Sequence, residues 1–144
     1  MDTDSDIVSE LSDLDCWELL REQEFGRLAF HLANEVHILP VNYAVDGQTL
    51  VFRTAEGSKL LGITMNQDVA FEVDRYDDSH ASSVVLRGRA RELEGAEADE
   101  AEKLPLHSWI PTDKFSLVRI EPTEITGRYF VLDRPAPRSR STQG

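Results

Sequence analysis

The sequence predicts a mainly β fold with short helices, in which six strands form an antiparallel sheet that closes, or half closes, into a small barrel. Two observations favour this fold. Six segments carry the apolar runs or apolar–polar alternation of strands, and successive segments are joined by tight turns or short connections. Short connections are typical of antiparallel neighbours, and closing the sheet removes its exposed edges. A Rossmann fold is excluded, because no glycine-rich turn follows the first strand and helices do not alternate with strands.

Composition limits the class of protein. The chain has 144 residues and a formal net charge of −12, with 27 acidic residues against 15 basic ones. That length suits one domain with a single core, and the acid excess argues against a protein that binds nucleic acid or an anionic membrane. No apolar run approaches the roughly 18 residues that cross a bilayer, and the acidic start is unlike a secretory signal. We therefore expect a soluble cytoplasmic protein.

The two ends of the chain differ from its middle. Residues 1–8 are acidic, residues 134–144 are rich in Pro, Arg and Ser, and neither segment has an apolar face to bury. We therefore predict two mobile tails around a single domain, residues 9–133. The basic C-terminal tail is interpreted as a solubilising end.

The first ordered element is predicted to be a helix over residues 12–22. Ser12 followed by Asp15 resembles a capping box at its start. Four apolar residues fall roughly on one stripe of this helix: Leu11, Leu14, Trp17 and Leu20. Cys16 lies in the same helix, and as a single cysteine it excludes an internal disulfide. We interpret it as a packing residue, because no base or second cysteine is near it in the sequence.

The strands follow this helix. They are predicted at residues 25–32, 36–45, 49–54, 68–75, 83–93 and 114–131, with short helices at 57–66 and 94–103. Asp46-Gly47 is a hairpin turn signal between the second and third strands. Pro40 lies within the second strand, where it marks an edge, a bulge or a place where something other than a strand pairs. The last strand is predicted to break near Pro122 and Gly127.

The most informative segment runs from the third strand into the short helix after it. Arg53 and Thr54 end the strand. Ser58 and Lys59 begin the helix, directly after Gly57. A phosphate is held by such a combination of positive charge, hydroxyl donors and N–H groups at a helix N-terminus. The residues also fit a plainer interpretation, in which Arg53 and Lys59 are surface charges and Ser58 is an N-cap. Residue types alone leave both interpretations open.

Seven segments, in this order along the chain, carry a resemblance to a known family. They are Phe25-Gly26-Arg27-Leu28-Ala29, Pro40-Val41-Asn42-Tyr43, Phe52-Arg53-Thr54, Gly57-Ser58-Lys59, Phe71-Glu72-Val73-Asp74, residues 84–90 and residues 118–128. Together they resemble the pyridoxamine 5′-phosphate oxidase-like flavin-binding proteins, and most nearly the small actinobacterial-type branch. The resemblance covers about residues 12–130. It implies a split β-barrel of the FMN-binding type, a homodimer, and FMN bound in a cleft between the two subunits.

The resemblance also implies roles for individual residues. Four of them would hold the FMN phosphate: Arg53, Thr54, Ser58 and Lys59. Four more would run beside the isoalloxazine ring and present backbone groups to its polar edge: Pro40, Val41, Asn42 and Tyr43. Pro40 would then lie where a ligand takes the position of a pairing strand. Trp109 resembles the aromatic residue that the partner subunit brings near the flavin.

Two departures from the oxidases affect the expected reaction. The oxidases are longer and carry basic residues near the C-terminus that hold the substrate phosphate, whereas this chain ends in a different, Pro-containing tail. Tyr43 also stands where the oxidases usually have a lysine. These departures argue against oxidation of a B6 vitamer, and we predict an FMN-dependent oxidoreductase that acts on a small molecule. The alternatives are a non-catalytic FMN carrier or sensor, and a split barrel that uses a deazaflavin or heme.

Other candidate residues indicate no second site. Four histidines are scattered along the chain: His31, His37, His80 and His107. Their spacing gives no reason to expect a metal site. His107 is the best acid–base candidate, because it lies two residues before Trp109, although a surface histidine fits its position as well.

Charged residues outside the phosphate corner are interpreted as structural. We predict that Glu72 and Asp74 face solvent or pair with Arg87 or Arg89 across the sheet. The helix over residues 94–103 is predicted to present an acidic, solvated face. Three residues around it are expected to pack inward: Leu93, Ala101 and Leu104.

Overall fold

The computed structural model describes residues 8–55, 67–106 and 115–132. Within them lie seven strands and two helices: β1 (Val8–Glu10), α1 (Asp13–Glu22), β2 (Phe25–Leu32), β3 (Glu35–Asp46), β4 (Thr49–Ala55), β5 (Gln67–Tyr76), β6 (His80–Glu92), α2 (Gly95–Ala101) and β7 (Phe115–Val131). Val8, predicted in the acidic tail, begins β1. The predicted helix over residues 57–66 and the C-terminal tail lie outside the described residues. Neither α1 nor α2 is long and apolar enough to cross a membrane.

The strands form one antiparallel sheet that returns on itself. The order is β1-β7-β4-β3-β2-β5-β6, and β6 pairs with β7 as well. The six strands from β2 to β7 therefore make a ring of pairings, and β1 adds to β7 near its C-terminal end. The mainly β, antiparallel fold class predicted from the sequence is confirmed.

α1 packs its buried face into the barrel core. The Ser12 hydroxyl accepts a hydrogen bond from the Asp15 N–H at 3.1 Å, which confirms the predicted cap. Four residues of the helix are buried: Cys16, Trp17, Leu19 and Leu20. Leu14 is 71% exposed, so its predicted place on the apolar stripe is wrong, because it lies outside the arc that the buried residues span. Burial raises the pKa of the Cys16 thiol, in keeping with a packing role.

β7 runs without a break from Phe115 to Val131, so the breaks predicted near Pro122 and Gly127 are wrong. Instead, the register shifts, since Gly88 pairs with Pro122 whereas Arg87 pairs with Glu124. Thr123 is the extra residue of a β-bulge, which lets the strand accommodate a proline and continue.

Glu72 and Asp74 lie on the partly exposed outer face of the sheet, as predicted, but their arginine partner differs from the predicted ones. Arg27 of β2 lies 2.9 Å from Glu72 and 3.4 Å from Asp74. The predicted partners pair elsewhere: Arg87 with Glu124, and Arg89 with Asp68. The reason is topological, because β2 lies beside β5 and brings Arg27 directly opposite Glu72.

Candidate functional site

β3 changes its neighbours part way along its length. Residues 35–42 pair with β2, and residues 43–46 pair with β4. The β3–β4 ladder ends at the pair of Tyr43 and Phe52, beyond which β4 continues alongside β7. The two strands follow different neighbours from this point, and the barrel is split between them. We call the space between residues 40–42 of β3 and residues 53–55 of β4 the β3–β4 cleft.

Backbone groups alternate in direction along β3. The Tyr43 N–H donates to the Glu24 carbonyl at 3.0 Å, so the backbone of Tyr43 is directed toward the start of β2. Neighbouring residues of an antiparallel strand point their backbone groups to opposite sides, and those of Pro40 and Asn42 are therefore directed toward the cleft. Proline has no N–H, and at this position it removes no bond from the β2–β3 ladder. The register thus explains how a proline fits within β3.

Val41 and Tyr43 face the barrel interior. Tyr43 is buried, its hydroxyl donates to the Leu20 carbonyl at 2.7 Å, and its ring meets the edge of Phe71. Burial raises the pKa of Tyr43, so the hydroxyl stays protonated and acts as a donor. Val41 packs against the same core. Of the four residues predicted beside the ring, the structure brings Pro40 and Asn42 to the cleft.

Arg53 and Thr54 are consecutive strand residues, and their side chains project to opposite faces of β4. The Arg53 guanidinium carbon lies 5.4 Å from the centre of the Phe115 ring, within cation–π range. Thr54 is 2% exposed and shares the inner face of β4 with Phe52. Arg53 is thus the member of this pair whose charged group lies on the outer face. Sequence reasoning missed Phe115, since only the β4–β7 register brings it beside the end of β4.

Several predicted residues lie outside the described residues: Ser58, Lys59, Trp109 and the acid–base candidate His107. Of the predicted phosphate corner, the described part of the chain therefore contains Arg53 on the outer face of β4 and Thr54, which the structure buries on the opposite face. It also contains the strand predicted to run beside the ring.

A second apolar cluster, on the outer face of the sheet, borders the cleft. It consists of Ala44, Val51, Leu93, Ala101, Leu106 and Leu117. The segment around α2 supplies Leu93, Ala101 and Leu106, of which the first two are predicted from the sequence, and Leu104, also predicted to pack inward, lies against the edge of the cluster. Leu117 is the register partner of Arg53. The chain around α2 thus covers the outer face of the sheet up to the cleft.

The outer face of β3 beyond the cleft has no such cover within the described residues. Val36 is 83% exposed and Ile38 is 64% exposed, and both project from the same face of the strand as Pro40. Adjacent apolar side chains at this exposure are typical of surfaces that bind another molecule. The cleft therefore lies at the boundary between a covered and an uncovered stretch of one strand.

Comparison with known proteins agrees with this architecture. A family model described as pyridoxamine 5′-phosphate oxidase matches residues 12–129. An uncharacterised protein of Mycobacterium tuberculosis is 41% identical over 98 residues, which is 67% of this chain and 89% of that protein.

Two solved structures share the fold and part of the sequence. The FAD binding protein of Mycobacterium smegmatis is 40% identical, with a TM-score of 0.80 over 87% of this chain and 100% of that one. An FAD-binding protein of Mesorhizobium loti is 26% identical, with a TM-score of 0.71 over 85% of this chain and 97% of that one. The chain belongs to the pyridoxamine 5′-phosphate oxidase family.

Proposed function

We propose that this protein binds a flavin in the β3–β4 cleft and uses it as an oxidoreductase on a small molecule. The observation that carries the proposal is the end of the β3–β4 ladder at Tyr43 and Phe52. From that point the two strands separate, with Pro40 and Asn42 on one side and Arg53 on the other. A polar, planar ligand with an anionic tail would suit such a cleft, because strand backbone lies along one side of it and a basic residue stands at the end of β4 on the other.

Arg53 supplies the charge for the phosphate end. On a chain with net charge −12, an anion is held only where positive charge is concentrated locally. The Arg53 guanidinium lies at the end of β4, against the Phe115 ring. Ser58 and Lys59 complete the phosphate set that the sequence predicts, whereas the Thr54 side chain is buried on the opposite face of β4. Guanidinium–phosphate hydrogen bonds are charge-assisted and fix orientation as well as position.

Backbone groups of β3 supply the ring end. The backbone carbonyl of Pro40 and the backbone N–H and carbonyl of Asn42 are directed toward the cleft and are suited to hold a heterocycle edge with both donors and acceptors. The flavin would supply the electron or hydride transfer, while the protein orients it and controls access to it. Tyr43 contributes to the site indirectly. Its hydroxyl donates a hydrogen bond to the Leu20 carbonyl in the core, and this bond holds β3 in place.

A second copy of the chain completes the site in this proposal. The exposed apolar residues Val36 and Ile38 lie on the outer face of β3, the face from which Pro40 also projects. A homodimer that buries this surface would bring the partner subunit to the rim of the cleft. Trp109 of the partner subunit would then lie near the ring, as the family resemblance implies.

FMN is the cofactor that the sequence predicts, whereas two relatives are named for FAD. Both molecules contain the same flavin ring and ribityl phosphate, so the Arg53 group fits either. Titration of the purified protein with FMN and with FAD, followed by quenching of flavin fluorescence, measures both affinities. We expect FMN to bind at least as tightly as FAD. Stronger binding of FAD would overturn the choice of FMN and leave flavin binding intact.

Replacement of Arg53 tests the site itself. We expect Arg53→Ala to raise the Kd for FMN by about tenfold or more, since charge-assisted hydrogen bonds to phosphate are lost. Arg89→Ala is the matched control, because Arg89 contacts Asp68 on the exposed face of the sheet. Equal affinities in the two variants would contradict the assignment. Reduction of the bound flavin by NADPH, with nitro or quinone acceptors, then separates an enzyme from a carrier.

A further inference from the structure

Two arginines face each other across the β6–β7 ladder. Arg91 of β6 is the register partner of Arg119 of β7. Like charges directly opposite each other in a sheet are destabilising unless an anion lies between them. The structure provides that anion from α2, whose Glu97 reaches both guanidinium groups.

Glu97 contacts the two arginines unequally. Its two carboxylate oxygens accept hydrogen bonds from Arg91 at 2.9 and 2.7 Å, and Oε2 lies 3.9 Å from Nε of Arg119. Hydrogen bonds from Arg91 lower the pKa of Glu97, so the carboxylate stays charged between them. The pKa of Arg91 is raised, chiefly by its hydrogen bond to Glu97. Glu97 therefore neutralises a repulsion that the strand register creates.

Each arginine also holds a carboxylate on the far side of Glu97. Arg119, only 12% exposed, donates to Asp46 at 2.9 Å and to the Thr49 hydroxyl at 2.6 Å. Arg91 donates to Glu121 at 2.8 Å. We call Asp46, Arg119, Glu97, Arg91 and Glu121 the outer charge network. It joins the β3–β4 turn, β6 and β7 to α2.

α2 depends on this docking. It has seven residues, and its N-cap, Glu94, makes no side-chain capping bond. A helix this short is marginal by itself and takes its stability from tertiary contacts. Those contacts are Glu97 in the outer charge network, Ala101 in the second apolar cluster, and the Leu93 N–H that donates to the Leu117 carbonyl at 2.8 Å.

The docked helix lies next to the cleft, because it covers Leu117, the register partner of Arg53. We propose that Glu97 is a positioning residue: by joining Arg91 and Arg119 it fixes α2 against the outer face of the sheet beside the cleft, and so sets how tightly the cleft holds a flavin. This inference rests on the proposed function.

A double-mutant cycle tests the proposal by FMN titration of four proteins: wild type, Glu97→Gln, Arg91→Gln and the double variant. We expect Glu97→Gln to raise the Kd for FMN about threefold to tenfold, because the two arginines then repel each other and α2 loosens. In the Arg91→Gln background the same change should matter less, since one of the opposed charges is already gone. Glu124→Gln, which breaks the Arg87 pair farther along the same two strands, is the matched control and should leave the Kd unchanged.

Hydrogen exchange of the flavin-free protein gives a readout that needs no ligand. We expect Glu97→Gln to speed amide exchange in Gly95–Ala101, with no change there in Glu124→Gln. Flavin affinity and exchange rates that are the same in wild type and Glu97→Gln would overturn the positioning role while the proposed function stands. A wild-type protein that binds neither FMN nor FAD would overturn both.

Discussion

The two ends of β3 differ in how far the rest of the chain covers their side chains. At its C-terminal end, Ala44 is 9% exposed and belongs to the second apolar cluster. At its N-terminal end, Ile38 projects from the same face of the strand and is 64% exposed. The difference shows that the described part of the chain covers its own sheet as far as the cleft and leaves the next stretch of β3 exposed. Four changes test this comparison, in order of expected effect.

The largest effect is expected at the covered end. Leu117 is 4% exposed within the second apolar cluster, so Leu117→Ala should remove about 2–5 kcal/mol from the free energy of unfolding. Urea unfolding followed by circular dichroism measures the change. A loss below about 0.5 kcal/mol, the size typical of surface changes, would mean that α2 does not bury this part of the sheet.

A substitution at the uncovered end of β3 should weaken dimer formation and leave the fold of the subunit intact. We expect Ile38→Asp to weaken the proposed homodimer by about tenfold or more, because a buried, unpaired charge in an interface is costly. Light scattering across a concentration series measures the association. Leu14→Asp is the control, since Leu14 is comparably exposed on α1. Equal association of the two variants, or a wild-type monomer, would contradict the assignment of this surface.

A substitution at Tyr43 distinguishes the role of the core face of β3 in stability from the role of the cleft in flavin binding. Tyr43→Phe leaves the Leu20 carbonyl without its donor, which should cost about 1 kcal/mol in unfolding free energy. Flavin affinity should stay the same, because the Tyr43 side chain faces the core. A weaker FMN affinity with unchanged stability would show that the phenol reaches the ligand.

The smallest expected effect is on the pH dependence of stability, through Glu72 on the outer face of β5. Burial, together with Asp74, raises the pKa of Glu72 despite its contact with Arg27. The folded protein then binds the Glu72 proton more tightly than the unfolded chain does, so stability falls as pH rises from the ordinary value of 4.5 through the raised value. Glu72→Gln should flatten this fall, by less than about 0.5 kcal/mol, since the side chain is partly exposed. Urea midpoints between about pH 4 and 7 measure it; a steeper fall in the variant would contradict the sign.

Local features of the fold could be predicted from the sequence because they depend on neighbouring residues. The Ser12 cap and the Asp46-Gly47 turn follow from short-range hydrogen bonding and backbone conformation, and Gly47 has a φ of +61°. Pro40 pointed to a break in pairing for the same reason. Of the candidate site, the sequence singles out Pro40 and Arg53, and both lie beyond the last pair of the β3–β4 ladder.

Features that depend on strand neighbours could not be read from the sequence. Arg27 pairs with Glu72 because β2 lies beside β5, which no local pattern reveals. The bulge at Thr123 and the opposition of Arg91 and Arg119 are likewise consequences of register. Strand alternation places Pro40 and Asn42 on one face of β3 and Val41 and Tyr43 on the other. Which of the two faces is buried is decided by the tertiary structure, so the sequence does not reveal it.

The central claim is that the β3–β4 cleft holds a flavin through Arg53. The most direct test is the visible absorption spectrum of wild-type and Arg53→Ala protein, purified in parallel, with the cofactor released by denaturation and identified by mass. The proposal predicts flavin absorbance for the wild type, and colourless or much paler Arg53→Ala. A colourless wild type that takes up neither FMN nor FAD, or a variant as yellow as the wild type, would contradict it.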